Sequence, residues 1–404
     1  MIKIKKVFVG MSGGVDSSVA AALLQKQGYQ VTGVHLRCYN VDGCAEQDAE
    51  DARRAAEALK IPFYVLDFEK EYKAKVVEYM VAGYKNGETP NPDVMCNREI
   101  KFGLFYQAAR ELGADFIATG HYVRLASRKS KTSHHSHSKI SHRLFTALDK
   151  NKDQSYFLWM LTQDQLDHCL FPIGDYTKPE VRRFAKKFKL PNAEKKDSQG
   201  ICFLGKVSLT DFLAKYIKPK KGAVLDPEGN IIGEHRGAAF YTIGQRHGFN
   251  LSPQPSNLTP NSRPRYISAK DVIQNTITVA EGADHPELSK KEVMLTDLHF
   301  ISPPAPSSTS KFPTSRLLPP APKPIPVFAR LRYRQPLAKA MLYLKVDNDK
   351  SLNQKKSRHS HFKISHRSFT ATLTFDRPQK FVAPGQSAVF YSKSGEMLGG
   401  GVIS

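Results

Sequence analysis

The segment Gly10-Met-Ser-Gly-Gly-Val-Asp-Ser17 combines small residues with hydroxyls and lies between a predicted strand and a predicted helix. Backbone N–H groups and the helix dipole at such a junction favour an anion. Gly13 and Gly14 let the backbone approach a phosphate closely, and the serines add hydroxyl donors. Asp16 would repel a bare phosphate unless it binds a cation or caps the helix. The segment lacks the Gly-Lys-Ser/Thr ending of an ordinary P-loop, and a glycine turn with a Ser or Asp cap is the alternative interpretation.

Two cysteines lie among polar, glycine and proline residues, which argues against a simple core position. Cys96 follows Asp93 by three residues, about one helical turn, so the carboxylate could exchange a proton with a nearby group. Cys202 follows Gly200 closely, where backbone N–H groups could stabilise a thiolate. An unperturbed thiol titrates near pH ~8.5, so a reactive cysteine needs such help. The alternative for each is a small buried hydrophobe.

The elements that must position these residues alternate in the first third of the chain. Strand-like and helix-like segments follow one another, which predicts a doubly wound parallel sheet with ligands at the carboxyl ends of its strands. Beyond Gly205 short strands predict mostly β structure. Residues 303–326 hold nine of the 25 prolines and are expected to form a linker or long loop. The strand-like segments are 7–9, 31–36, 63–68 and 116–119, and the helix-like ones begin at 19, 45, 70 and 100.

The length of 404 residues predicts two or three domains, which we place at 1–205, 206–290 and 291–404 as an α/β domain, a small mostly β domain and a β-barrel-like domain. The net charge of +22 favours a polyanionic partner such as a nucleic acid. No apolar run approaches the roughly 20 residues of a membrane helix, and the N-terminus leaves no room for a signal sequence. Cytoplasmic location and no membrane partner are therefore expected. Five cysteines are too few and too dispersed for a disulfide framework.

Two histidine-rich segments nearly repeat each other, at residues 136–148 and 360–372, with ten of 13 positions identical. One isolated pair does not make a repeat architecture. Their Ser and Lys content predicts solvated, flexible loops, whereas metal binding by the histidines is the alternative. We assign them no catalytic role.

Taken together, these motifs resemble the bacterial tRNA-specific 2-thiouridine synthases of the PP-loop ATP pyrophosphatase superfamily over essentially the whole chain. The order and number of the matching blocks make chance similarity improbable, although the two histidine-rich insertions interrupt the usual spacing and the proline-rich stretch is longer than expected. The blocks cover residues 10–18, 89–102, 118–122, 152–157, 195–203, 233–237, 241–248, 332–334 and 383–390.

The resemblance implies roles for single positions. ATP, with Mg²⁺, is expected at Gly10, Met11, Ser12, Gly13, Gly14, Val15, Asp16, Ser17, Leu36 and Gly120. The target base is expected at Asn91, Pro92 and Asp93, and the rest of the tRNA at His121, Lys152, Asp153, Gln154, Arg332, Tyr333 and Gln386. Cys96 is expected to be the nucleophile, and Cys202 is expected to carry the persulfide sulfur.

The expected reaction adenylates the C2 oxygen of a wobble uridine, so that AMP leaves when persulfide sulfur arrives. The expected partners are an anticodon stem-loop and a persulfide donor protein, with the enzyme as a monomer. An iron–sulfur cluster held by Cys96, Cys202 and Asp93 is one alternative. An amide ligase or nucleotide synthetase with the same loop and a non-catalytic RNA-binding module are others. A zinc site formed by Cys38, Cys44 and Cys96 fits no simple ligand spacing.

Overall fold

The computed structural model describes residues 4–39, 43–129, 140–197, 204–205, 207–252, 263–301, 323–346 and 369–404. Cys202 lies outside these ranges, as do residues 302–322 and parts of both histidine-rich segments. Within the described part of the chain, no helix has the length and apolar character needed to span a bilayer.

A five-stranded parallel sheet forms the first domain, with the strand order β3-β2-β1-β4-β7. The central strand β1 is short and apolar, and its Val7 and Val9 are completely buried. This confirms the predicted doubly wound fold class. The strands are β1 (Lys6–Gly10), β2 (Gln30–Arg37), β3 (Phe63–Asp67), β4 (Phe116–Thr119) and β7 (Cys169–Leu170).

In the described residues of this domain the sheet is accompanied by α-helices, two of which contain a π-helical stretch, at Lys73–Val77 and Cys96–Leu104. The helix that carries Cys96 begins at Pro92, eight residues before the predicted start, because Asn91 caps it through a hydrogen bond from Val94 N–H to its side-chain oxygen (3.3 Å). The helices are α1 (Val15–Lys26), α2 (Cys44–Ala58), α3 (residues 69–85), α4 (residues 92–111), α5 (Gln163–Asp167) and α6 (Lys178–Lys187).

A hairpin of β5 (Val123–Lys129) and β6 (Ile140–Thr146) leaves the first domain and joins the sheet of the last one, where Met397 pairs with Leu144. The prediction of a flexible loop over residues 136–148 is therefore wrong from residue 140 onward. Buried positions alternate along β6: Leu144 is completely buried, and the buried His142 forms hydrogen bonds with Gln163 and Asp167, so the strand is stabilised despite its Ser and His content.

The central domain follows the short helix α7 (Leu209–Ala214) and contains a five-stranded sheet with the order β10-β9-β8-β12-β11. Val224 and Ile277 of this sheet share a hydrophobic core with Val76 and Met80 of α3. The central domain is thus packed directly on the helices of the first domain. Its strands are β8 (Gly222–Leu225), β9 (Ile231–His235), β10 (Asn250–Leu251), β11 (Arg265–Asp271) and β12 (Thr276–Glu281).

The last domain is a closed antiparallel barrel with the order β13-β16-β15-β14-β17-β18, in which β18 pairs back onto β13. Pro326 lies inside β14, so the upper boundary predicted for the linker is wrong. It is tolerated because β14 pairs with β17 only from Phe328 onward. The strands are β13 (Ser289–Phe300), β14 (Ile325–Arg330), β15 (Ala338–Val346), β16 (Phe369–Lys380), β17 (Ser387–Tyr391) and β18 (Glu396–Ile403).

Candidate active site at the phosphate loop

The loop between β1 and α1 lies where the strand order of the parallel sheet reverses, which is the usual ligand position in open α/β sheets. Gly14 is the N-cap residue of α1 and has no side chain to accept the first amide N–H groups of the helix. Those N–H groups and the helix dipole are therefore available to an anion. The alternative of a Ser or Asp cap is wrong for this helix.

The glycines of the loop are required by close packing. Gly13 has a φ of +76°, and a Cβ there would lie 2.4 Å from the carbonyl oxygen of Asp48 in α2. A Cβ at Gly120, which follows β4, would lie 2.5 Å from the backbone nitrogen of Ser17. The start of α1 thus packs closely between α2 and the end of β4. This packing brings together the predicted nucleotide-binding residues Gly13, Ser17 and Gly120.

The serine hydroxyls hold the loop in its conformation. Ser17 Oγ accepts a hydrogen bond from Ser12 N–H (3.2 Å) and donates to the Gly14 carbonyl (3.2 Å). Ser18 also donates to the Gly14 carbonyl (3.1 Å). Asn192, which sequence reasoning missed, donates to the Gly13 carbonyl (3.0 Å) and to Ser18 Oγ (2.9 Å). The loop is therefore preorganised by hydrogen bonds before any ligand arrives.

The remaining predicted nucleotide-binding residues lie in the loop, in the first turn of α1 or near the carboxyl ends of β1 and β2. Met11 and Val15 are almost completely buried, and Leu36 is half-buried near the carboxyl end of β2. The Met11 carbonyl accepts a hydrogen bond from His35 Nδ1 (3.0 Å), and burial lowers the pKa of His35. Gly10 ends β1 beside Thr119 of β4. The start of the loop is therefore held against β2 through Met11, whose N–H also donates to the Val34 carbonyl (2.7 Å).

Asp16 contacts two groups that sequence reasoning did not place beside it. Its carboxylate accepts hydrogen bonds from Tyr122 Oη (2.9 Å) and from Lys178 Nζ (2.7 and 2.9 Å). Burial, and next the neighbouring Asp16 carboxylate, raise the pKa of Tyr122 far above its usual value. Tyr122 is therefore a hydrogen-bond donor at neutral pH.

Lys178 also pairs with Asp197 (2.7 Å), which in turn contacts Lys152 Nζ (2.5 Å) and Arg182 Nη2 (2.9 Å). Burial disfavours the charged form of Asp197, but the hydrogen bonds from the two lysines outweigh it and lower its pKa to about 2. Lys178 thus bridges the carboxylates of Asp16 and Asp197, which places an ammonium group beside the loop. Lys178 and Arg182 are four residues apart on one face of α6, a spacing that could have identified them as a pair.

Cys96 lies in the π-helical stretch of α4 with only 2% of its surface exposed, packed with Val76 and Met80 in the core shared with the central domain. The expectation that polar neighbours keep it out of the core is wrong, because the helix turns Cys96 inward. Its role as nucleophile stays a prediction. The described residues nearest Cys202 are Asp197, which contacts Lys178 beside the phosphate loop, and Leu204, which belongs to the same hydrophobic core as Cys96.

The residues that are predicted to contact the target base lie at the start of α4. Asn91 is buried and caps the helix, Pro92 is its first residue, and Asp93 follows in the first turn, one turn before Cys96. Nearby, His121 is 8% exposed, and its Nδ1 lies 2.8 Å from Thr119 Oγ1. Burial, with a smaller effect of Lys101, lowers the pKa of His121 well below its usual value. This histidine is neutral at physiological pH.

The residues of the C-terminal barrel that are predicted to contact tRNA meet the other two domains. Arg332 donates to the Ile243 carbonyl of the central domain, and Gln386 Nε2 donates to the Thr89 carbonyl (2.7 Å), two residues before Asn91. The Tyr333 ring packs 4.6 Å from the ring of Phe157. Burial lowers the pKa of Arg332. These three residues therefore lie at the junction of the domains.

Residues 152–154 lie between the phosphate loop and the barrel. Lys152 contacts Asp197, and Gln154 exchanges two hydrogen bonds with the backbone of Tyr122, each of 2.9 Å. Asp153 is 2% exposed and accepts from Ala147 N–H (3.1 Å) and Ser155 N–H (3.2 Å). Its predicted contact with tRNA stays untested, but its carboxylate is already engaged inside the protein.

Among the described residues, no group of three or more His, Cys, Asp or Glu side chains is placed to hold a metal ion. A parallel sheet with a glycine- and serine-rich loop at its switch point defines an α/β nucleotide-binding domain of the PP-loop type, here joined to two β domains.

Comparison with known proteins agrees with this class. The family models described as tRNA methyl transferase HUP domain, tRNA methyl transferase PRC-barrel domain and Aminomethyltransferase beta-barrel domain match residues 5–206, 210–281 and 353–403. Three relatives, each named tRNA-specific 2-thiouridylase MnmA, are similar along almost their whole length. That of Pseudoalteromonas translucida is 40% identical over 98% of this chain and 97% of its own. That of Vibrio cholerae is 40% identical over 99% and 96%, and that of Neisseria meningitidis serogroup B is 41% identical over 98% and 95%. The chain belongs to the tRNA-specific 2-thiouridylase family.

Proposed function

We propose that this protein is an ATP-dependent tRNA 2-thiouridylase that modifies the wobble uridine. The observation that carries the proposal is the phosphate loop: a helix N-terminus without a side-chain cap at the switch point of a parallel sheet, with the Lys178 ammonium beside it. The two cysteine segments support sulfur transfer rather than the methyl transfer that the family descriptions mention.

The triphosphate of ATP binds where the N–H groups of α1 and the Lys178 ammonium converge. Mg²⁺ fits this site, because it usually takes one or two carboxylates together with phosphate oxygens and water. Asp16 is the carboxylate that would hold it, with its side chain 31% exposed and thus accessible to a ligand. When bound, Mg²⁺ would neutralise charge on the leaving pyrophosphate.

The first chemical step forms a bond between the uridine C2 oxygen and the α-phosphorus of ATP, and the bond to the bridging oxygen breaks as pyrophosphate leaves. This converts a poor leaving group into AMP. Asn91, Pro92 and Asp93 hold the uracil at the start of α4, and the anticodon loop is already single-stranded, so the base is extruded at low cost.

The second step transfers sulfur. The terminal sulfur of a Cys202 persulfide attacks C2 and expels AMP. The Cys96 thiolate then attacks Cys202 Sγ, which leaves sulfur on the base and a Cys96–Cys202 disulfide. Two electrons from an external thiol reductant restore both cysteines. Support for this pairing comes from Leu204, which shares a core with Cys96, and from Asp197, which contacts Lys178 of the phosphate site.

The tRNA lies along the junction of the domains, where Lys152, Gln154, Arg332, Tyr333 and Gln386 are found. His121 and Asp153 are also predicted to contact the tRNA. We further propose that a persulfide carrier protein supplies sulfur, that the enzyme acts as a monomer, and that it works in the cytoplasm, where its tRNA substrate is found.

To test the proposal, the purified protein is incubated with tRNA, ATP, Mg²⁺, a persulfide donor and a thiol reductant. The nucleosides of the tRNA are then analysed by mass spectrometry. The proposal predicts 2-thiouridine together with one AMP per modified base. Anaerobic iron analysis on the same preparation decides the alternative: stoichiometric iron lost on Cys96→Ser or Cys202→Ser would replace the persulfide route by a cluster mechanism.

A further inference from the structure

A buried ion pair links the last strand-forming residue of β14 to the loop that follows β6. Arg330 Nη1 lies 3.2 Å from Asp153 Oδ2, and the two side chains are only 9% and 1% exposed. Ser155 Oγ donates to the same Asp153 oxygen (3.1 Å) and lies 3.0 Å from Tyr391 Oη, while the Arg330 guanidinium stacks 5.2 Å above the Tyr391 ring. The first domain and the barrel are therefore joined by a buried set of polar contacts, in which Nε of Arg330 has no hydrogen-bond partner among the described residues.

On one side of Asp153 the contacts lead to the phosphate loop. Lys152 binds Asp197, and Gln154 fixes the backbone of Tyr122, whose hydroxyl donates to Asp16. The two neighbours of Asp153 thus hold the groups around the Asp16 carboxylate. A displacement of Asp153 would move both of these supports at once.

On the other side the contacts lead to the predicted tRNA surface of the barrel. Arg330 is followed two and three residues later by Arg332 and Tyr333. Tyr333 packs on Phe157, and Tyr156 Oη donates to the Ser387 carbonyl (2.8 Å). The same short segment, residues 152–157, therefore connects to the barrel at Arg330, Tyr333 and Ser387.

Stability alone is a poor explanation for this buried ion pair, because apolar side chains of similar volume often stabilise a protein equally well. We propose that Asp153 and Arg330 are positioning residues that join the barrel to the phosphate loop, so that tRNA bound on the barrel raises the affinity of the loop for ATP. This inference rests on the proposed function. By reciprocity, ATP raises the affinity for tRNA by the same factor.

The experiment measures the dissociation constant of the Mg²⁺ complex of α,β-methylene ATP, which cannot be cleaved, by calorimetry with and without saturating tRNA. The test variant Asp153→Asn/Arg330→Met leaves no buried charge unpaired. The control variant Arg143→Gln/Glu396→Gln removes an ion pair that also links the first domain to the barrel, between β6 and β18, but does not involve residues 152–154.

We expect tRNA to tighten analogue binding by at least about fivefold in the wild type and in the control variant, and by less than about twofold in the test variant. A test variant that is folded by circular dichroism and retains the wild-type factor would overturn the inference, as would a wild type in which tRNA has no effect. If the test variant does not fold, Arg330→Lys decides, because lysine keeps the charge but lacks the guanidinium fork. In this variant the factor by which tRNA tightens analogue binding must lie at least about twofold below the wild-type factor. An unchanged factor overturns the inference.

Failure of the proposed function is recognised separately. A wild type that forms no 2-thiouridine refutes the function itself. A wild type that thiolates tRNA, next to a folded test variant with unchanged coupling, refutes only the role of the Asp153–Arg330 pair.

Discussion

Replacing Asp197 by Asn should lower stability in a way that depends on pH. In the folded protein the pKa of Asp197 is lowered from 3.8 to about 2. This difference corresponds to about 2 kcal/mol of folding free energy, since one pKa unit is worth about 1.4 kcal/mol. The side chain is 28% exposed, so solvent screening reduces this figure only in part.

The sign follows from proton binding. Between about pH 2 and pH 4 the unfolded chain binds the proton of Asp197 more tightly than the folded protein does. The contribution of Asp197 is therefore complete above about pH 4 and is lost as the pH falls through about 2. The Asn variant lacks this contribution at every pH.

Urea unfolding of wild type and Asp197→Asn at pH 7, 5, 4 and 3 measures the effect. We expect the difference in free energy of unfolding to be about 1 to 2 kcal/mol at pH 7 and 5 and to shrink at pH 3. Glu194→Gln is the matched control, because Glu194 lies three residues earlier, has a side chain that is 77% exposed, and pairs with the likewise exposed surface residue Lys186. If the free energies of unfolding of wild type and Asp197→Asn do not differ at pH 7, or differ as much at pH 3 as at pH 7, the inferred ion pairs of Asp197 with Lys152 and Lys178 do not stabilise the protein.

Three further predictions concern the chemistry and one concerns the hairpin. Asp16→Ala should abolish tRNA-dependent AMP formation but keep most tRNA affinity in filter binding; unchanged pyrophosphate release would contradict the assignment. Gly120→Ala should weaken ATP binding about tenfold or more, since its methyl carbon would lie 2.5 Å from Ser17 N, and calorimetry checks this. Cys202→Ser should accumulate adenylated tRNA without protein-bound persulfide, whereas Cys96→Ser should still load sulfur at Cys202, as persulfide mapping by mass spectrometry would report; persulfide on Cys96 with retained thiolation would reverse the roles. Deleting residues 127–141 removes parts of β5 and β6 and should lower the melting temperature, which a thermal scan decides.

The parallel sheet and its loop could be predicted from the sequence because their signals are local. An apolar run at Val7–Val9, a glycine turn and a helical repeat stand next to one another in the chain. The composition of residues 140–146 misled the prediction, because its Ser, His and Arg residues concealed an alternating buried face that pairing with β5 and β18 stabilises.

The site itself could be predicted only in part. The loop glycines and both cysteine segments are recognisable as motifs. The partner of Asp16 is 162 residues away, and although the spacing of Lys178 and Arg182 marks them as a pair on one helix face, nothing local links that helix to Asp16. Burial of Cys96 and Asp153 depends likewise on packing between domains. Side chains that act through such long-range contacts carry no local pattern, so only the folded structure brings them together.

The most direct test of the central claim combines nucleoside mass spectrometry with quantification of AMP for the purified protein, a tRNA with a wobble uridine, ATP, Mg²⁺ and a persulfide donor. The account predicts 2-thiouridine at the wobble position, one AMP for each thiolated base, and no AMP without tRNA. AMP formed at the same rate without tRNA, or adenylation that never leads to 2-thiouridine while both cysteines are intact and persulfide is loaded, would contradict it.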